Sequence, residues 1–423
     1  MRHWHFVVRL FYTLWPMLPM QWFYLVYYRL LRKKIAPCQT PLAIETRSLG
    51  FRQFPVLPQG RLQGDRFVFL NVVAPWPLTR IDWVASEQKK LWRYNLHYFD
   101  WLRETEPYSS AWLCSINDWI EGVPYGEGDA WEPYPLSLRI VNWIKWLAQH
   151  PEQASDAIKA SLYQQCYALE QQIEFHIQAN HLYKNAIALL FAGCYFKDSR
   201  AQRWFQQGQK LFLAETHRQF LADGGHFERS PLYHSLCLED LLDAVNLYAC
   251  ENRDLPDPNI KTVAEAALFW LVQLCDPEGN IVLLNDSAWG IAPTPASLCD
   301  YALRLGLRVD HQPALGFTAL QQSGYFIYNN DTFKLLFDVS DVGPVFQPGH
   351  THCDMLSFLV WHRGLPVFID SGVGSYLDDD DRRYARATRA HNTVTIDHLE
   401  QSDIWSAFRV GKRARITHAS QVW

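Results

Sequence analysis

The chain has 423 residues, enough for two or three domains with a large buried core. A formal net charge of −5, with no long Lys/Arg run, excludes the basic field of a nucleic-acid binder, so a polyanion would have to be held by a local basic cleft. Nine cysteines, an odd number with no CxxC pair, exclude a disulfide framework and permit a reducing compartment. Aromatic content of 15 % fits either exposed platforms that stack flat sugar faces or aromatic filling of a helical core.

Residues 10–28 carry no charge, and Arg29, Arg32, Lys33 and Lys34 follow. The run is long enough to span a membrane, but Pro16 and Pro19 interrupt it and no small-residue cleavage site follows. The pattern fits an amphipathic segment docked on its own domain better than membrane association through the amino terminus. Residues 1–89 are therefore assigned to an amphipathic or extended N-terminal segment. Residues 90–310 read mostly as helix, within a helical domain assigned to 90–315, with apolar residues at helical spacing over 137–150, 157–178, 182–196, 201–221, 232–250 and 260–275. Short connections between successive helices predict antiparallel hairpins, as in a toroid or a solenoid. Asn180-His181 ends one helical segment and begins the next. In DGGHFERSPLYH (223–234), Ser230-Pro231 is a helix start, and Tyr233 falls in the first turn of the helix that follows. The paired glycines of the same segment permit close backbone approach.

The periodicity changes near Gly324. GYFIYNNDTFKLLFDVS predicts two strands around an Asn-Asn-Asp turn, and further strands are expected over 355–362, 365–370, 392–397 and RARITHAS. So few strands would leave exposed edges, so the β part over 316–423 is read as incomplete. GHTHCDMLSF, FIDSG and RAHNTV bring His350, His352, His391, Asp354 and Asp370 into one short stretch. Strand alternation would point His350 and His352 to one face, presenting imidazoles and carboxylates as a metal or catalytic site.

NHLYKNAIALLFAG (180–193), DGGHFERSPLYH, GHTHCDMLSF, FIDSG and RAHNTV, in this order and spacing, resemble the heparinase II/III-like polysaccharide lyases, which include alginate lyases. Upstream, YNLHYFDWL and WEPYPLSLRIVNWIKW are similar to the helical domain of bacterial relatives tied to envelope or exopolysaccharide metabolism. The resemblance implies an α+β multidomain chain: an incomplete (α/α) toroid followed by an antiparallel β-sandwich domain, truncated here. It implies β-elimination at a uronic acid, with the site between toroid and sheet. Asn180 and His181 would neutralise the substrate carboxylate, Tyr233 would act as acid, base or both, and His350 would be the partner base or a substrate contact. His352, Asp370 and His391 would hold a structural zinc or another divalent metal, with no organic cofactor. A second tyrosine, Tyr384 or Tyr376, would bind substrate, with Tyr384 taken as the contact. The partner is an acidic polysaccharide. Uronate polymers place such an enzyme in the periplasm or cell envelope, whereas the free cysteines fit the cytoplasm. Two alternatives remain on sequence: a hydrolase using Asp223 and Glu228, and a non-catalytic glycan-binding protein.

Overall fold

The computed structural model of the chain describes residues 2–31, 34–51, 54–55, 61–103 and 109–417. In chain order the α-helices are α1 (Arg2–Leu14), α2 (Pro19–Val26), α3 (Lys90–Tyr98), α4 (Ser109–Gly122), α5 (Pro133–Gln149), α6 (Asp156–Glu170), α7 (Ala179–Tyr195), α8 (Ser199–Gln219), α9 (Pro231–Cys250), α10 (Ile260–Gln273), α11 (Pro295–Arg304) and α12 (Asp380–Ala385). The strands are β1 (Leu62–Gln63), β2 (Arg66–Phe69), β3 (Val72–Val73), β4 (Gly316–Leu320), β5 (Tyr325–Asn329), β6 (Phe333–Asp338), β7 (Phe358–His362), β8 (Leu365–Phe368), β9 (Ile404–Ser406) and β10 (Arg409–Val410). The change from helix to strand falls between Arg304 and Gly316. The chain divides into two compact units that interleave in sequence. One is Met20–Thr216 with Asp240–Pro258; the other is Met1–Pro19, His217–Glu239 and Asn259–Trp423.

The first of these is helical, with a small β1–β2–β3 meander. Its α5 packs against α3, α6 and α7. Trp143, Ile140 and Ile144 of α5 are fully buried, as are Ile187, Leu190 and Phe191 of α7. Gly193 and Gly208 let α7 and α8 approach closely: a Cβ on Gly193 would lie 2.5 Å from Phe205, and one on Gly208 2.7 Å from the Leu190 nitrogen. The buried charges here are paired, as burial requires. Lys145 reaches Asp243 at 2.5 Å and Lys184 reaches Asp240 at 2.8 Å. The helix expected over 157–178 stops at Glu170, where the chain turns through Gln171–Gln178 before α7.

The second unit is built on one antiparallel sheet in the order β4-β5-β6-β7-β8. Alternation gives it two faces. Leu320, Tyr325, Ile327, Leu336, Leu359 and Trp361 pack on Trp270, Leu274, Val282 and Leu284. On the opposite face Phe317, Tyr328, Phe333 and Phe337 are exposed, with Phe317 paired to Tyr328 and Tyr328 to Leu335 across the strands. Two expected strands do not form. The 392–397 segment makes only an isolated bridge, Ile396 to Leu399, because Val394 and Ile396 face outward with no neighbouring strand. Residues 413–417 of RARITHAS are irregular, and its last residues lie outside the described ones.

Candidate active site and metal centre

The Ser230-Pro231 start behaves as its chemistry dictates. The Ser230 hydroxyl accepts from the Tyr233 amide at 3.3 Å and donates to the Asp286 carbonyl at 2.8 Å. Tyr233 is thereby fixed in the first turn of α9. Upstream, Gly224 sits at φ +88° with Ala266 so close that a Cβ would lie 2.1 Å from its oxygen. The Asp223 carboxylate accepts from Gly225 N and from the amide and hydroxyl of Ser323. Asp223 is thus spent on a turn, which removes one half of the hydrolase pair.

The GHTHCD segment is a loop leading into β7 and not a strand. Its two histidines nonetheless meet one carboxylate. Asp286, fully buried, faces His350 Nδ1 at 2.8 Å and His352 Nε2 at 2.8 Å. It also accepts both terminal nitrogens of Arg382, one of them at 2.7 Å. Burial opposes its charge, but Arg382, His350 and His352 together hold its carboxyl well below the usual range. The same asparagine-aspartate-serine segment ties the site together. Asn285 accepts from the His352 amide at 3.0 Å, and the Ser287 hydroxyl accepts from Leu232 N at 3.2 Å.

With Nδ1 on Asp286, the His350 ring lies on the Tyr233 ring, centroids 3.8 Å apart and tilted by 28°. Its Nε2 is 3.5 Å from the buried carboxylate of Glu228. Tyr376 hydrogen-bonds to Tyr233, and burial followed by the charge of Asp286 pushes the Tyr376 phenol up. Of the two candidate second tyrosines, Tyr376 is the one at Tyr233. Tyr384 is exposed, its ring under the Arg389 guanidinium at 5.4 Å.

A second cluster starts at the other side of His352. One ligand atom each from His352, Asp354 and His391 lie within 4.8 Å of one another, all three residues buried. Among the described residues His352 Nδ1, Asp354 Oδ2 and His391 Nε2 have no hydrogen-bond partner. Three such polar atoms converging in a buried site fit a cation, and two imidazoles with a carboxylate fit zinc. The carboxylate within this cluster is Asp354. Asp370, expected as a ligand, lies one step out: its Oδ2 is 2.6 Å from His391 Nδ1 and its Oδ1 accepts from Gly372 N. It orients the ring so that Nε2 faces the cluster, the usual support for a metal-bound imidazole. Burial lowers and Asp370 raises the His391 pKa, with a net rise; burial wins at His352, which is lowered. Burial and the nearby Asp354 push Asp338 up to about 8.

Asn180 and His181 belong to the helical unit, in the first turn of α7. Asn180 is buried, and His181 Nδ1 is 2.9 Å from Glu174 Oε1. Glu174 is anchored in turn by Asn185, whose Nδ2 donates to Oε2 at 3.0 Å and whose Oδ1 accepts from the Glu174 amide at 2.8 Å. Tyr134 lies 4.4 Å from the His181 ring. The two residues before Asn180, Gln178 and Ala179, have positive φ of 71° and 54°, a strained approach of the kind that persists at functional sites.

Two family models match, "Heparinase II/III N-terminus" over residues 72–295 and "Heparinase II/III-like, C-terminal" over residues 312–422. The chain belongs to the heparinase II/III family. Among relatives, it is similar to a heparin-sulfate lyase of Pedobacter heparinus, 24 % identical over 366 residues, covering 75 % of this chain and 53 % of that one. A heparin-sulfate lyase of Bacteroides stercoris is 22 % identical over 372 residues, covering 78 % and 55 %. The chain spans about half the length of these relatives. A crystal structure of heparinase III superposes with a TM-score of 0.65 at 20 % identity, over 80 % of this chain and 60 % of that one. A second heparinase III gives 0.54 at 19 % identity, over 77 % and 60 %. The mixed fold of helices and antiparallel sheet is thus that of a heparinase III.

The residues missed in the sequence are Asp286 and Arg382. They stand 64 and 96 residues from the groups they hold or that hold them, and no local spacing announces them. The one available signal was a polar Asn-Asp-Ser run directly after apolar IVLL (281–284).

Proposed function

We propose that this heparinase II/III family member is a polysaccharide lyase that cleaves a uronic-acid-containing polysaccharide by β-elimination. The observation that carries the reading is the Tyr233 phenol stacked on a His350 ring whose Nδ1 is held by Asp286. A ring so held presents Nε2 as the working nitrogen, beside a phenol at the mouth of a helix. Tyr233 and His350 exchange the two protons: one removed from the carbon next to the uronate carboxylate, one delivered to the leaving glycosidic oxygen. Which of the two is base follows from the stereochemistry of the sugar. Asn180 and His181 supply donors to the carboxylate, lowering its charge so that enolate-like charge can develop. Tyr376 supports Tyr233, and Tyr384 is at most a contact further out. The substrate class is an acidic glycosaminoglycan or related uronate polymer, as the names of the relatives suggest, encountered in the periplasm or envelope.

His352, Asp354 and His391 would hold a divalent cation, with zinc the best match to the donors, and Asp370 behind His391. A cation there fixes the loop that carries His350. We assign the helical unit to an incomplete (α/α) toroid. The apolar outer face of the five-stranded sheet supports a second antiparallel layer covering it, as in a sandwich.

The test is an absorbance screen over heparan sulfate, alginate and bacterial exopolysaccharides. Elimination leaves a conjugated double bond, so the expected result is growing ultraviolet absorbance in step with new reducing ends. New reducing ends without absorbance would make the protein a hydrolase, and tight binding with neither would make it a glycan-binding protein.

A further inference from the structure

The amino-terminal helices leave large apolar side chains in solvent. An ordinary surface helix turns its apolar stripe inward and its charges to water. In α1 two polar side chains bond to the protein: Arg9, itself half exposed, pairs with Asp403 at 2.9 Å, and Thr13 bonds to the Val410 carbonyl and accepts from Trp405 Nε1. The i, i+4, i+8 stripe of Val7, Phe11 and Trp15 is left outside, with Trp15 76 % exposed and stacked on Phe11. The α2 stretch, within its own unit, also exposes apolar side chains. Its one buried residue is Gln21, whose amide donates to the His176 and Ile177 carbonyls, while Trp22, Phe23 and Val26 face solvent. Leu30 and Leu31 continue the exposed apolar surface beyond α2.

Charge follows the same segment. Six of the chain's 39 Lys and Arg residues, and none of its 44 Asp and Glu residues, lie in the first 34 positions. Arg29 and Lys34 are exposed beside the apolar stretch. The rest of the chain is acidic on balance, whereas this segment is cationic. Among the described residues no helix is long and apolar enough to cross a membrane. Exposed aromatics on each helix, basic residues beyond α2, and helices too short to span fit a segment that lies in a bilayer interface.

We propose that the acid-free amino-terminal segment docks the protein onto an anionic lipid surface, with exposed aromatics of α1 such as Phe11 and Trp15 at headgroup depth. A second copy of the chain, or another protein, would want the apolar surface but would have no need of the acid-free, six-cation sequence around it. The inference is independent of the elimination chemistry.

The test is flotation of the full chain with vesicles of phosphatidylcholine alone and of equal parts phosphatidylcholine and phosphatidylglycerol. Binding is expected to be at least about tenfold stronger to the anionic vesicles and to weaken with salt. Phe11→Glu with Trp15→Glu should abolish it. Arg29→Glu with Lys34→Glu, exposed positions that leave the fold intact, should erase the preference for anionic lipid. No binding by the wild-type chain, or binding that both double variants retain, overturns the proposal. So does a wild-type dimer in solution that Phe11→Glu with Trp15→Glu converts to monomer.

Discussion

Asp286 and Asp354 are buried carboxylates of the same unit, joined through the two nitrogens of His352, and they are opposites. Asp286 is saturated: two imidazoles and a guanidinium converge on it. Asp354 keeps an oxygen with no partner among the described residues, close to two ring nitrogens in the same condition. A saturated buried charge fixes geometry, whereas an unsaturated one asks for a cation. One histidine thus carries orientation from a rigid ion cluster into a coordination site.

The contrast breaks most violently at Asp286. Asp286→Ala strands the buried Arg382 and releases both histidines, so urea unfolding should show a loss of about 3–5 kcal/mol, together with loss of turnover. The unsaturated side responds through metal. His352→Ala should lower metal content and melting temperature together, and chelation should bring the wild-type melting temperature down to that of the variant. Asp370→Asn leaves all three cluster atoms in place and should weaken metal affinity about 10–100-fold without unfolding the chain, read by metal competition. Metal retained in full by His352→Ala would mean the ligand set is different.

His234 extends the saturated side. Its Nδ1 accepts from the His226 amide and its Nε2 donates to the Ala267 carbonyl, and burial brings its pKa from 6.5 down to about 3. The unfolded chain therefore binds the extra proton between these two values, and stability falls as pH drops through that window, by about 1.4 kcal/mol per pH unit from this ring. His234→Gln should flatten that slope in urea melts run from pH 7 to pH 3. The smallest effect separates the two tyrosines: Tyr376→Phe should reduce kcat, whereas Tyr384→Phe, exposed and away from Tyr233, should leave kcat unchanged in the absorbance assay.

Much of this was legible in the chain because it is local. Ser230-Pro231 specified the start of α9 and so placed Tyr233 in a first turn, and the pairing of β5 with β6 followed from the Asn-Asn-Asp turn. His350 and His352 do meet one carboxylate, although a loop and not a strand brings them there. What was not legible is non-local. Asp286 acquires its role only when the fold carries it to the histidine loop, and Asp354 enters the cluster because Asp370 is taken by His391 Nδ1. The helix over 157–178 was over-extended because Ile173 and Phe175 keep apolar spacing. In the turn the Asn185 side chain takes the Glu174 amide out of any helical ladder and holds its carboxylate.

The central claim is that the phenol of Tyr233 moves a proton beside a fixed imidazole. The direct measurement is Tyr233→Phe, assayed by ultraviolet product formation and by binding of the same polysaccharide. The account predicts a fall in kcat of about 10²–10⁴-fold with binding nearly unchanged. Turnover at the wild-type rate in this variant would contradict it.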